Sequence, residues 1–324
     1  MATALFSHPS SLDHEMPNGH PERVDRIRAV HHIVASPHFD NLLRHEAGPA
    51  GDEAILRAHT PEHLRRLRAV APEEGFEFLD ADTSMSPGTL TAALHGAGAA
   101  VAAVDLVLSG AVDNAFCAMR PPGHHAESRR AMGFCFFNSA AIAAHHARAH
   151  HGLERVAVID FDVHHGNGTQ EIFWSDPNLF YGSTHQMPLY PGTGSVHETG
   201  VGNIFNAPLR AGDGGAQFRE AMTTRILPAL DAFGPDLLVM SAGFDAHRRD
   251  PLGSLALDEE DFAWITLRLM EIADRHCGGR IVSVLEGGYD LRALAASVGV
   301  HVQTLMRGDA GMVEEERAHS GDED

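Results

Sequence analysis

The chain has 324 residues, 44% of them hydrophobic, and a formal net charge of -20. That length and apolar content suffice for one large core, and the acidic balance disfavours non-specific binding to nucleic acid, which needs a basic surface. Three cysteines, Cys117, Cys135 and Cys277, show no paired spacing, so a reducing, cytoplasmic setting is expected rather than a disulfide framework. The stretch from Met1 to Pro9 lacks the charged and apolar regions of a signal peptide. No apolar run reaches the roughly 18 residues of a membrane span, so no membrane segment is expected.

Taken in chain order, apolar runs alternate with Ala- and Leu-rich stretches of helical character. The pattern predicts a helix over 89–109, a strand over 115–119 and a helix over 139–151. Strands follow over 156–159 and 179–183, then a helix over 215–233. A strand over 237–240, a helix over 258–277, a strand over 281–285 and a helix over 291–305 complete the series. All of these strands except 179–183 are continuous apolar runs, as in a parallel sheet covered on both faces. The alternation argues for a three-layer α/β/α domain with no internal repeat and no dividing linker. Residues 1–308 read as one domain, and the acidic, turn-rich 309–324 as a disordered tail.

Each continuous strand is followed by a polar, glycine-containing motif, and open α/β sheets bind ligands beyond the carboxyl ends of their strands. In order, the motifs are Arg120-Pro121-Pro122-Gly123-His124-His125, Asp160-Phe161-Asp162-Val163-His164-His165-Gly166-Asn167, Ser241-Ala242-Gly243-Phe244-Asp245 and Glu286-Gly287-Gly288-Tyr289. The second has the composition of a transition-metal site. Carboxylate oxygen and imidazole nitrogen are ligands a zinc-like ion accepts, and a cation removes the cost of burying carboxylates together. A polar loop that happens to be rich in histidine is the plainer alternative. Asp162 and His164, two apart, reach one side of an extended segment, and Asp245 is the best third ligand. Three protein ligands leave positions open, as catalytic sites do. Asp160, one step inward, suits a carboxylate that accepts a histidine ring N–H.

The chain has 24 histidines. Pairs at 31–32, 145–146 and 150–151 fall in helix-like stretches and read as solvated faces. His124 and His125 differ, because they follow a Pro-Pro-Gly turn at a strand end. Two imidazoles beside a metal-bound water suit general base and general acid, and Asn167 suits a hydrogen bond to one of them. Tyr289, one of only 3 tyrosines, suits donation to an oxyanion on a polarised carbonyl; a core tyrosine is the alternative. Phe134, after Gly133, and Tyr190 are loop aromatics that suit the walls of an apolar channel, or plain packing.

Together with Gly19-His20-Pro21-Glu22-Arg23, Gly133-Phe134-Cys135-Phe136-Phe137-Asn138 and Tyr190-Pro191-Gly192-Thr193-Gly194, these motifs resemble the zinc-dependent histone deacetylase family, which has the arginase/deacetylase fold. The resemblance runs in family order over roughly residues 5 to 305. Asn167 and Glu286 make the chain similar to class II and bacterial deacetylase-like amidohydrolases. The resemblance implies a single α/β/α domain around a central, mainly parallel, eight-stranded sheet. It implies Zn2+ on Asp162, His164 and Asp245, His124 against Asp160, His125 against Asn167, and Tyr289 polarising the substrate carbonyl. Gly133, Phe134 and Tyr190 match a tunnel for lysine methylenes, and Arg23 matches an arginine near an inner product channel. A K+ site near Asp160, Asp162, His164, Ser183 and Thr184 is implied as well.

The implied activity is hydrolysis, by metal-activated water, of the amide that joins an acetyl or longer acyl group to a lysine side chain in a protein or peptide. An acetylpolyamine amidohydrolase would use the same chemistry on a small cation. Polyamine-selective relatives place a glutamate near the mouth where this chain aligns Leu252, which favours the acylated lysine. A non-catalytic module that reads acyl-lysine would have lost the tyrosine, and Tyr289 is kept. A two-manganese ureohydrolase would carry more acids where His165 and Gly166 stand. The Asp–His–Asp set also accepts iron or cobalt.

Overall fold

The computed structural model describes residues 1–309, so all of the expected tail except Asp309 lies outside the described residues. The strands are β1 (Thr3–Ser7), β2 (Leu43–Glu46), β3 (Glu77–Phe78), β4 (Ser84–Met85), β5 (Asn114–Cys117), β6 (Val156–Asp160), β7 (Leu179–Gln186), β8 (Ile204–Leu209), β9 (Leu237–Ala242) and β10 (Ile281–Leu285). The α-helices are α1 (Asp25–Val34), α2 (Asp52–Leu56), α3 (Pro61–Val70), α4 (Thr89–Leu108), α5 (Ser139–His151), α6 (Asn167–Phe173), α7 (Gly215–Ala221), α8 (Leu227–Phe233), α9 (Glu259–Cys277) and α10 (Leu291–Arg307).

Eight strands form one sheet in the order β2-β1-β5-β10-β9-β6-β7-β8, and every pair is parallel. β3 and β4 make a separate antiparallel hairpin. Successive strand residues point to opposite faces, so the central strands feed two cores. In β6, Ala157 and Ile159 join the core that contains Ile27, Phe262 and Leu294, from α1, α9 and α10. Val156 and Val158 join the opposite core, built on the alanines of α4 and α5. The continuous apolar runs thus reflect burial on both faces. β9 and β10, last in the chain, lie between β5 and β6. That crossing brings the carboxyl ends of β5, β10, β9 and β6 side by side.

Local chemistry sets the helix ends. The Asn138 side chain caps α5 by accepting the Ala141 N–H at 2.9 Å, and Gly152 closes the helix at φ 71°. The Asp290 carboxylate caps α10 through the N–H groups of Arg292 and Ala293. The helix expected over 215–233 is interrupted by a π-helical turn, Met222–Ile226. Pro228 opens α8 without an N–H to donate, so the regular ladder cannot run through it. β1, β2 and β8 were not anticipated. β2 is short, polar and at the sheet edge, and β8 carries Pro208 on the opposite edge, where an absent N–H is tolerated.

Two expectations need correction. α4 is 20 residues long and, by length and composition alone, apolar enough to cross a membrane. In the fold it is a core helix, with Ala92, Ala97, Ala99, Ala103 and Val104 buried and with β5, β10 and α5 packed against it. The histidine pairs are not uniformly solvated either. His146 is buried, with Nε2 2.7 Å from Asp105 Oδ1 and Nδ1 accepting from Arg57 at 2.9 Å. α5 turns this residue toward α4, a placement that the composition of the helix does not reveal.

Several histidines are buried in neutral form. His301 bridges Thr266 and Ser283 at 2.7 and 2.9 Å, and burial lowers its pKa from 6.5 to about 3. Burial and the neighbouring His63 lower His59 to about 3 as well. The unfolded chain takes up these protons near pH 6.5 and the folded chain does not. Stability is therefore fully present above that pH and is lost as pH falls toward 3, by up to about 1.4 kcal/mol per pH unit for each histidine. We expect denaturant midpoints to fall steadily from pH 6.5 to 4, with a shallower slope in His301→Gln. An unchanged slope in that variant would remove His301 from the acid response.

Candidate active site

The residues singled out in the four motifs meet at the adjoining ends of β5, β10, β9 and β6. His164 Nδ1 lies 3.1 Å from Asp162 Oδ1 and 3.0 Å from Asp245 Oδ2, and all three side chains are buried. Their ligand atoms lie within 4.8 Å of one another. Backbone groups orient the carboxylates. Asp162 accepts the N–H groups of His164 and Gly287 at 2.9 and 2.8 Å, and Asp245 accepts that of Val163 at 2.7 Å. A Cβ on Gly243 would collide with the Asp162 carboxylate, and one on Gly287 with both carboxylates.

The electrostatics fit a divalent cation. Burial and the charge of Asp162 push the Asp245 carboxyl up to about 8. Burial opposes charge on His164, but the two carboxylates outweigh it and raise the ring to about 10. Two buried carboxylates and an imidazole nitrogen converge with no lysine or arginine among them. A zinc-like ion of N/O preference would relieve the repulsion between the carboxylates.

His124 and His125 stand beside this set with ring centroids 4.0 Å apart. The two rings are anchored differently. His124 Nδ1 lies 2.9 Å from Asp160 Oδ2, and His125 Nδ1 lies 2.8 Å from Asn167 Oδ1. Burial works against a charge on His124, but Asp160 and Asp162 overcome it and raise its pKa well above the usual value. His125 has a neutral partner, so burial and the nearby His124 hold it well below. The two rings are thus biased in opposite directions, His124 toward the charged form and His125 toward the neutral one. Glu286 anchors the loop that carries both. Its carboxylate accepts the N–H groups of Gly123 and His124 at 2.6 and 3.1 Å and the Ser241 hydroxyl at 3.1 Å.

A cavity of about 220 Å³ leads to the set, lined by Asp82, His125, Gly133, Phe134, His164, Leu189, Tyr190, Leu252 and Tyr289. Phe134 faces Tyr289 edge-on at 5.9 Å, and Tyr190 faces His125 at 5.1 Å. Gly133 and Phe134 are both left-handed, at φ 56° and 68°. A Cβ on Gly133 would strike the His125 ring, so this turn presses the tunnel wall against the imidazole. Burial keeps the Tyr289 phenol protonated by raising its pKa well above the usual value. Among the described residues nothing hydrogen-bonds its hydroxyl. Ser183 lies beside Asp160 in the sheet register, with Thr184 next to it, and both are buried.

One expected placement is corrected. Arg23 is 54% exposed and pairs with Asp25. Arg26, on the buried face of α1, occupies the inner position instead. Its guanidinium lies 4.7 Å over the Tyr289 ring and donates to the carbonyls of Gly288 and Glu286 at 2.5 and 2.6 Å. It also donates to Glu22 at 2.9 Å, and Glu22 takes two further bonds from Arg120. The spacing of Glu22 and Arg26, four apart at the start of a helix, was the available signal. Asp82 and Leu189 had no motif to mark them.

Comparison with known proteins gives the family and the fold. A family model described as the histone deacetylase domain matches residues 20–305. The "Histone deacetylase-like amidohydrolase" of Pseudomonas aeruginosa is 42% identical over 84% of this chain and 73% of its own. A "Probable deacetylase" of Archaeoglobus fulgidus is 37% identical over 95% of this chain and 87% of its own. The crystal structure of the HDA15 HD domain superposes with a TM-score of 0.89 at 35% identity, covering 94% of this chain and 89% of that one. With the arginase/deacetylase fold and these relatives in hand, the chain belongs to the histone deacetylase family of amidohydrolases and is a hydrolase.

Proposed function

We propose that this protein removes acetyl or longer acyl groups from lysine side chains in a protein or peptide, using a divalent ion, zinc foremost, held by Asp162, His164 and Asp245. The reading rests above all on one juxtaposition: a cavity walled by Phe134 and Tyr190 reaches His164 of that ligand set, with His125 and Tyr289 in its lining and His124 beside His125. Its apolar walls suit a methylene chain. Asp160, Asp162, His164, Ser183 and Thr184 would hold K+ behind the site. Three buried free cysteines suit a reducing, cytoplasmic setting.

A divalent ion on the ligand set would supply Lewis acidity toward the amide carbonyl and toward a water molecule. The remaining chemistry belongs to the chain. Asp160 and Asn167 hold the Nδ1 sides of His124 and His125, which leaves each Nε2 for proton traffic. The pair takes a proton from the attacking water and returns one to the leaving amine, with His125, at the cavity wall, nearest the amine. Because the rings interact, they titrate as a unit. The Tyr289 hydroxyl donates to the carbonyl oxygen as it gains charge, a contribution of about 3 kcal/mol for a well-placed donor. Arg26 and Glu22 position the segment that carries Tyr289.

Acetylated polyamines are the second reading, favoured by the Asp82 carboxylate in the cavity lining. Two observations weigh against it. Leu252 presents an apolar side chain at the cavity. Asp250 is buried, its carboxylate accepting the N–H groups of Tyr289 and Leu252 at 2.7 and 2.9 Å, and it does not line the cavity.

Turnover of an acetyl-lysine peptide and of acetylspermidine by zinc-loaded protein separates these readings. We expect the higher kcat/KM on the peptide; preference for acetylspermidine would transfer the assignment to small amines. Tyr289→Phe should lower kcat by about 10²–10³ with metal content retained, as for loss of one oxyanion donor. Unchanged turnover would refute that role. Asp245→Ala should lose the divalent ion, and a full complement by elemental analysis would strike Asp245 from the ligand set.

A further inference from the structure

A second cavity, of about 450 Å³, adjoins the tunnel but takes no part in the chemistry above. Thr193 in its wall follows the tunnel residue Tyr190 by three positions, and Asn167 in its wall holds His125. Glu127 and Glu171 contribute carboxylates, and Trp174, 41% exposed, contributes an indole.

Both carboxylates are oriented by hydrogen-bond donors. Glu127 Oε1 accepts the Asn167 amide at 2.9 Å. Glu171 accepts both the N–H and the hydroxyl of Ser128 at 2.9 Å. Among the described residues neither forms an ion pair, and no cation or aromatic ring covers Trp174. Two oriented carboxylates and an open indole around a cavity of ligand size are the kinds of group that recognise an organic cation. A bare metal ion would leave most of the volume unfilled and has no use for the indole. Anionic ligands are repelled by both glutamates. Guanidinium fits best, being planar, able to bond carboxylates bidentately and able to stack on an indole face.

We propose that this cavity binds a guanidinium group, either an arginine side chain flanking the acylated lysine of the substrate or a free arginine-like cation. The site stands independently of the acyl-lysine reading; only the first source rests on it. Occupancy has a direct route to the tunnel. A cation competing for Glu127 weakens its hold on the Asn167 amide, whose oxygen orients His125.

Calorimetric titration of the full-length protein with N-acetyl-arginine amide, against the neutral isostere N-acetyl-citrulline amide, tests the site. We expect binding at least tenfold tighter for arginine, lost about tenfold in Glu171→Gln and in Trp174→Leu. Glu171→Gln keeps an oxygen acceptor for Ser128 and should turn over a short acetyl-lysine substrate as wild type does. Equal affinity for the two amides, no binding of either, or unchanged binding in both variants would overturn the proposal. Acetyl-lysine peptides with a flanking arginine or citrulline then identify the source. A lower KM for the arginine peptide in wild type but not in Glu171→Gln assigns the site to the substrate, and binding without that difference assigns it to a free cation. If no acetyl-lysine peptide is turned over, the activity assignment fails while the calorimetric result still decides the site.

Discussion

Asp162 and Asp245, two carboxylates held close together in a buried place, are the constraint on which the rest of the site depends. Like charges in a poorly solvated setting repel, and Asp245 shows this in a pKa pushed up to about 8. Backbone N–H groups from Val163, His164 and Gly287 hold them in place. Those donors come from two segments, one after β6 and one after β10, while Asp245 itself follows β9. The ligand geometry is therefore only as good as the registry of three neighbouring strands. Gly243 and Gly287 contribute by having no Cβ, since any side chain would occupy the space that the carboxylates need.

The same ends of the sheet give the two histidines opposite properties. His124 faces Asp160 and is biased toward the charged form, whereas His125 faces the neutral amide of Asn167 and is biased toward the free base. Identical side chains, adjacent in sequence, are biased toward opposite charge states by burial and by their different partners. Asp160 in turn accepts the Tyr181 hydroxyl at 3.1 Å and the Asp162 N–H at 3.1 Å, so its orientation does not rest on the histidine.

Tyr289 depends on a more distant arrangement. Glu22, Arg26 and Arg120 form a buried charge network that joins the start of α1 to the segment after β10 and the loop after β5. Burying such charges adds little net stability, because desolvation offsets most of the attraction. What the network contributes is geometry. Arg26 bonds the carbonyls on either side of Gly287 and lies over the phenol ring, which limits where the hydroxyl can go.

Much of this was legible in the chain itself. The parallel, doubly covered sheet followed from the continuous apolar runs that became β5, β6, β9 and β10. The residues that converge at the candidate site are the Asp, His, Gly and Tyr placed just beyond those runs. Chemistry of that kind is local, being written in residue type and short spacing. Edge strands such as β2 and β8 escaped notice because strands buried on fewer sides need fewer apolar residues. The choice of Arg26 over Arg23 depended on which face of α1 meets the core. The burial of His146 and the placing of Asp82 and Leu189 in the tunnel wall likewise depended on contacts between distant segments. The amino-acid sequence by itself determined which side chains could bind a metal and move protons; the tertiary structure alone decided which of them converge and which way each is biased toward charge, because burial and cross-chain partners set both.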